Sequence, residues 1–449
     1  MNRTITDKLF TTEQLRRLIA PLIVEQLLVL FVGMLDTLMV SHAGEAAVSG
    51  VSIVNEVNYL IITILTALSA GGAVVVSQYI GNHNQKEAGL AASQMMMIST
   101  LTGIVMMSLS VLFCKQILNL LYGSVEPEVM KNAVTYFYIT ALSFPFLGMY
   151  NSASAIYRSM NETKQIMYVS IIMNVINMTG NAIGVYGLHL AAASVAWPTL
   201  ISRMTAALLL GTRSFDKRNL IHVDKKYIFS IHGNMIHKIL KIAVPNAIEN
   251  GLFQFGRIIV TIFVASYGTS QIAANGVADS LTNLALVTAG AMQLAIVTVI
   301  GQCTGAGDYD QAEYYFKKLL RWSYMLAAVN CLIVFLILPV TIQLYSLSSE
   351  TAEIVRQLMI TYLIADVLIE PLAFVLPNGL RAAGDAKFTM VTGVLSMFIV
   401  RISLAYVLGT VMHMHVLGVY LAMYCDWMVR TICFVIRYKS GKWKRYRLV

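Results

Sequence analysis

Ionisable side chains inside otherwise apolar stretches are the residues most able to do chemistry in this chain. They are Glu25 and Asp36, Glu56, Glu249 and Arg257, Asp279, Asp366 and Glu370, and Asp426 with Arg430. A charge at mid-bilayer costs roughly 2.5–3.5 kcal/mol on insertion scales, so such residues face a cavity or a partner and mark a path for ions or substrate. Glu25 and Asp36 are eleven residues apart, which on a helix places them on one face, about 16 Å apart along the axis. Asn177 and Asn181, one turn apart, can give amide oxygens to a cation or amide donors to a carboxylate. Tyr362, Asp366 and Glu370 recur every fourth residue and form one polar stripe. Asn275, Asp279 and Asn283 form another. Arg257 needs an anion, and the acids of the second half are expected to supply it in a network of Glu249, Arg257, Asp279, Asp366 and Glu370. Na⁺ could be held at Asp36, or among Glu249, Asp366 and Glu370, and no dedicated metal site is expected. Asp426 and Arg430, at i and i+4, should neutralise each other, and Arg203 and Arg401 are read with them as structural.

These residues need spanning helices to hold them. The chain has 449 residues, 57% hydrophobic and only 12% charged, with mean hydropathy +0.69. Soluble proteins carry about 25% charged residues, so a soluble fold is excluded. Twelve apolar runs approach or exceed the roughly 20 residues needed to cross a bilayer. They fall at about 15–41, 50–79, 88–113, 130–156, 165–187, 190–211, 238–266, 274–301, 314–343, 352–378, 387–410 and 414–437. In lipid each must satisfy its own backbone, so all are predicted as helices.

The chain also repeats itself. Residues 21–90 and 245–314 align without a gap at an offset of 224, with thirteen of seventy positions identical. Pro21 falls on Pro245, Glu25 on Glu249, Gly44 on Gly268, Gln78 on Gln302 and Gly81 on Gly305. The repeat continues with Arg158 to Lys164 on Arg381 to Lys387 at offset 223, and Pro145 on Pro371 at offset 226. The predicted fold is an all-α integral membrane protein of twelve transmembrane helices in two pseudo-symmetric six-helix bundles. One bundle is expected over 1–211 and the other over 238–449, with a cytoplasmic linker at 212–237 and a basic cytoplasmic tail. Six spans per copy is even, so both copies point the same way, and a cavity between them is the natural substrate path. Glu25 and Glu249 each follow a proline by one turn, where freed carbonyls can line a cavity.

The formal charge of +9 is not a nucleic-acid footprint. Lys and Arg concentrate before the first span (Arg3, Lys8, Arg16, Arg17), in the linker (Lys217, Arg218, Lys225, Lys226) and in the tail (Lys442, Lys444, Arg445, Arg447). The positive-inside rule puts these segments and both termini in the cytoplasm, against lipid headgroups of the cell inner (cytoplasmic) membrane. The glycine turns at Gly81 and Gly305 lack the GKS or GKT of a P-loop. No ATP and no other cofactor is therefore expected, and a Na⁺ or H⁺ gradient must supply the energy. The five cysteines form no CxxC pair and read as free thiols. No cleavable signal peptide is expected. No HExxH or GxSxG pattern appears, so the chain is not read as an enzyme.

Several segments resemble the multidrug and toxic compound extrusion family. The carriers are Pro21–Leu–Ile–Val, Gly33–Met–Leu–Asp36 to Gly44, Gln78–Tyr–Ile–Gly81, Gln302–Cys–Thr–Gly305 and Leu380–Arg381–Ala–Ala–Gly384–Asp385. The resemblance covers nearly the whole chain. It implies an exporter of cationic, amphipathic compounds, driven by inward movement of Na⁺ or H⁺ and alternating between inward-open and outward-open states. It also implies a cation site at Asp36 with Asn177 and Asn181, although one branch of the family has an acid where Asn181 stands. The family's seventh-span glutamate position is Phe253 here, with Glu249 one turn earlier, and its tenth-span acid matches Glu370. The expected partners are small organic cations and membrane lipids, and the expected state is a monomer. The alternative is a flippase for a lipid-linked oligosaccharide or related lipid precursor. Such a flippase needs a cationic cavity, whereas the cavity predicted here has more acids than bases.

Overall fold

The computed structural model describes residues 8–42, 44–123, 125–188, 190–345 and 347–446. Arg3 and Arg447 of the basic flanks lie outside them. Every regular element among the described residues is helical. The first half holds α1 (Thr12–Ser41), α2 (Glu45–Gly81), α3 (Gln85–Leu112), the short α4 (Cys114–Tyr122), α5 (Pro127–Ala141), α6 (Phe144–Ser159), α7 (Thr163–Ala182) and α8 (Ala193–Arg213). After the short α9 (Lys225–Ile228), the second half holds α10 (Gly233–Ala265), α11 (Thr269–Ala285), α12 (Val287–Gly305), α13 (Tyr309–Leu344), α14 (Ser349–Glu370), α15 (Leu376–Ala382), α16 (Ala386–Leu395) and α17 (His415–Lys439). Wider π-helical turns interrupt the second half at Pro371–Val375, Ser396–Ile402 and Ala405–Val411. Among the described residues eleven helical segments are long and apolar enough to cross a membrane, and α5 with α6, bent by 46°, makes a twelfth.

The residues that keep register in the repeat have visible backbone duties. Gly44 and Gly268 have φ of 102° and 101° and precede α2 and α11. A side chain at that φ is strained, so glycine is required in both copies. Asn84 and Asp308, again 224 apart, each cap the next helix by accepting from a backbone N–H three residues on. Pro21 has no N–H to offer the carbonyl of Arg17 one turn back. The Thr163 hydroxyl at the start of α7 takes that role, donating to Arg17 O (3.1 Å) and Leu18 O (3.0 Å).

The structure divides at 247/248, into one unit of residues 12–247 and another of 248–449 with the amino-terminal segment up to Thr11. The stretch read as a linker is docked on the first unit. The Gln94 side chain on α3 donates to Tyr227 O and Ser230 O and accepts from His232 N (3.0 Å). Ser93 Oγ accepts from Asp224 N. At the other end, Leu9 N and Phe10 N donate to Gln311 and Tyr315 on α13, and Phe10 is buried.

Each unit has its own apolar core. The first is built around Val54, Leu65, Phe137, Phe144 and Val195, the second around Leu281, Val334, Leu358 and Trp427. Small residues set how closely helices approach. A Cβ on Gly103 of α3 would lie 2.6 Å from Phe144 O and 2.7 Å from Pro145 Cα at the head of α6. Gly103→Val should therefore push these helices apart and cost about 1–3 kcal/mol. Thermal unfolding of the purified variant at the wild-type temperature would refute this contact.

Candidate functional site

In the first unit a cavity of about 220 Å³ is lined by Gly33, Asp36, Asn55, Tyr136, Thr199 and Arg203, with apolar side chains between them. α1 brings Asp36 and α7 brings Asn181, whose Nδ2 donates to Asp36 Oδ1 at 2.6 Å. The chain of amides continues from Asn181 Nδ2 to Asn177 Oδ1 (3.2 Å) and from Asn177 Nδ2 to Thr199 Oγ1 (3.2 Å). Asn181 is fully buried, and its Oδ1 has no hydrogen-bond donor. A carboxylate, an amide oxygen and a hydroxyl in a space large enough for several waters can hold a cation or pass a proton. Arg203 lies within electrostatic reach of Asp36, while its NH1 donates to Ser143 Oγ at 2.8 Å. Tyr136 donates to Asn55 Oδ1.

Glu25 and Glu249 do not join these cavities. Each meets an arginine within its own unit: Glu25 approaches Arg158 at 4.0 Å, and Glu249 pairs with Arg381 at 2.6 Å. Both pairs are repeat equivalents, because the glutamates differ by 224 and the arginines by 223. Arg381 is further held by Thr389 Oγ1 and Asn378 Oδ1, so its fork has three partners that fix its orientation. All four side chains are largely buried. Glu249→Gln should destabilise by about 1–3 kcal/mol, and Glu25→Gln by clearly less because its pair is longer. Equal shifts in the unfolding midpoint of the two variants would contradict this ordering.

The second unit has a cavity of about 180 Å³. Arg257 from α10, Asn275, Asp279 and Asn283 from α11, Tyr362 from α14 and Arg401 from a π-helical turn all reach it. Asn275 Nδ2 donates to Asp279 Oδ2 at 3.1 Å, and both guanidiniums lie within electrostatic reach of Asp279. The two cavities are related by the repeat: Gly33, Val40 and Asn55 correspond to Arg257, Val264 and Asp279 at offset 224, and Tyr136 to Tyr362 at 226. The predicted network of five is divided. Glu249 is taken by Arg381, and Asp279 is the acid that faces Arg257. Asp366 and Glu370 point into the packed interior of the second unit, where Cys331 Sγ donates to Asp366 Oδ2 at 3.1 Å. Glu370 is fully buried, and both its carboxyl oxygens lack partners. The second-unit cavity consequently has two bases and one acid, the reverse of the balance expected for the substrate path. Glu56 lies exposed on α2.

Asp426 and Arg430 pair at 3.0 Å, as their spacing implied. Arg203 and Arg401, read as structural, line the two cavities, and Thr199 and Tyr136 were not singled out at all. Sequence carried one usable signal for them: Arg203 and Arg401 are charges deep inside apolar runs, the criterion that had selected Asp36.

A two-copy bundle of spanning helices with a polar cavity in each copy is an architecture used by membrane transporters. The MatE family model matches residues 21–183 and again 245–407, two stretches 224 residues apart, as in the repeat. The chain belongs to the MatE family of multi-pass membrane transporters, which are not enzymes. It is 27% identical to an uncharacterised transporter, YisQ, of Bacillus subtilis, over 94% of this chain and 93% of that one. It is 22% identical to a probable multidrug resistance protein NorM of Thermotoga maritima, over 96% and 93%. Its fold matches an outward-facing multidrug resistance MATE transporter of the MOP superfamily with a TM-score of 0.89 at 16% identity, over 97% of both chains. It also matches a MOP superfamily transporter of Pyrococcus furiosus, described as having a binding pocket of reverse polarity, with a TM-score of 0.88 at 17% identity over 97% of both chains.

Proposed function

We propose that this protein is an antiporter in which inward movement of Na⁺ or H⁺ drives export of amphipathic organic cations by alternating access. It works as a monomer in the cytoplasmic membrane, with both termini inside and without ATP. The observation that carries the reading is the Asp36 cavity. Its carboxylate is bonded by Asn181, whose own amide oxygen is buried without a donor, and Asn177 links that asparagine to the Thr199 hydroxyl on the cavity wall. Such a set suits a small cation, because the carboxylate and the hydroxyl are each held in place by an asparagine while one amide oxygen is left free to ligate. Arg203 opposes retention of that cation and assists its release.

The test is efflux of ethidium from pump-deficient cells, with a Na⁺ gradient or a proton gradient imposed separately. Efflux driven by one gradient supports the antiporter and names its ion. Well-expressed protein that moves no organic cation under either gradient would refute it. That result would favour the rival reading, a flippase for lipid-linked sugars.

A further inference from the structure

We propose that the cavity of the second unit is a binding site for the anionic group of an amphipathic organic acid, a carboxylate on an aromatic body. This goes beyond the organic cations of the reading above. Charge balance is the first ground. Around Phe253, the guanidiniums of Arg257, Arg401 and Arg430 share two carboxylates, Asp279 and Asp426. Asp426 is already bonded by Arg430, and Asp279 by Asn275. Among these five groups one positive charge is left without a protein counter-charge, with Arg401 and Arg430 buried and Arg257 exposed at the cavity, an arrangement that favours an anion on helices that cross the membrane.

The second ground is a pair of orphaned donors. Arg401 Nε and Trp427 Nε1 belong to residues only 9% and 3% exposed, both lining this cavity, and neither has a hydrogen-bond acceptor. An entering cation would leave both donors unmet and would face two guanidiniums. A carboxylate brings two acceptor oxygens, one for each of the two unmet donors. Arg401 is presented from a π-helical turn, a local widening of the helix often found at ligand sites.

The walls supply the rest of the ligand's complement. Phe253 has Arg401 at 5.5 Å and Arg430 at 4.9 Å from its ring centre. Trp427 packs edge-on against Phe374 and Tyr362 at 5.2 and 5.8 Å. Aromatic surface beside fixed guanidiniums suits an aryl acid, because the ring stacks while the head group is held.

Equilibrium dialysis on the full chain in lipid nanodiscs tests this with 2-naphthoate, the neutral 2-naphthamide, a naphthylmethyl-trimethylammonium salt and geranyl pyrophosphate. Naphthoate should bind about tenfold or more tightly than the amide, as expected for charge-assisted bonds. Arg401→Gln should remove that preference. If Arg401→Gln does not fold, Arg257→Gln, whose side chain is exposed, should reduce the preference by several-fold. The proposal falls if the amide or the ammonium binds as well as the acid, or if a folded Arg257→Gln protein keeps the full preference. It also falls if geranyl pyrophosphate binds and naphthoate does not, which would assign the cavity to a lipid pyrophosphate. Ethidium efflux and its loss in Asp36→Asn report on the antiporter reading separately, so the two can fail independently.

Discussion

Asp36→Asn should reduce gradient-driven efflux by about ten- to a hundred-fold while leaving expression and folding near normal. The substitution keeps the shape of the side chain and an acceptor oxygen for Asn181 Nδ2, now 2.6 Å from the carboxylate. The charge is removed, and one acceptor oxygen becomes an amide donor. A charged acceptor contributes about 1.5–3 kcal/mol to a hydrogen bond or ion contact, which converts to the stated range. Asn177→Ala should weaken efflux less, because it removes one link of the relay between Asn181 and Thr199 and spares the carboxylate. Wild-type efflux in Asp36→Asn, at matched protein levels, would remove the first unit's cavity from the mechanism.

The largest effect on stability is expected from Arg430→Met. Arg430 is 3% exposed and Asp426 fully buried. Nε of Arg430 bonds Asp426 Oδ1 at 3.0 Å and Ser396 Oγ at 2.8 Å, and NH2 bonds Gly393 O at 3.0 Å. Removing the guanidinium strands a buried carboxylate and costs about 3–5 kcal/mol. Replacing both partners, Arg430→Met with Asp426→Leu, should recover part of this, since an apolar pair of similar volume carries no desolvation penalty. Thermal unfolding in detergent gives the comparison. A double variant less stable than Arg430→Met alone would mean that Asp426 has another positive partner of equal weight.

Local order is what the sequence made legible. The apolar runs fix the spanning helices, and the glycine, proline and capping residues that keep register in the repeat are the ones with a backbone duty, as at Gly44, Gly268, Asn84 and Asp308. Asp36 and Asn181 could be paired because the motifs resemble a known family. Contacts between distant segments were not legible. Arg158 and Arg381 stood out as repeat partners, and nothing along the chain tells that their long side chains fold back onto glutamates one turn past a proline. A long, flexible arginine stem lets the residue sit at a helix end by sequence while its guanidinium reaches a buried carboxylate several ångströms away. That Arg203 and Arg401, read as structural, line the cavities was not legible for a related reason. Which face of a helix meets a cavity depends on helix rotation, and a π-helical turn at Ser396–Ile402 changes that rotation in a way no period of 3.6 anticipates.

The repeat also records a divergence between two descendants of one ancestral half. The glutamate–arginine pairs persist in both copies, so the frame was kept. The cavities went separate ways: Gly33, Asp36 and Asn55 in one copy align in sequence with Arg257, Val260 and Asp279 in the other. The first copy keeps its acid on the first helix and the second moved it to the next, with an arginine beside it. Each half is therefore a natural template for redesigning its sibling. Arg257→Gly, Val260→Asp and Asp279→Asn would write the first copy's charge pattern into the second, using only exchanges the chain has already tolerated on the same scaffold.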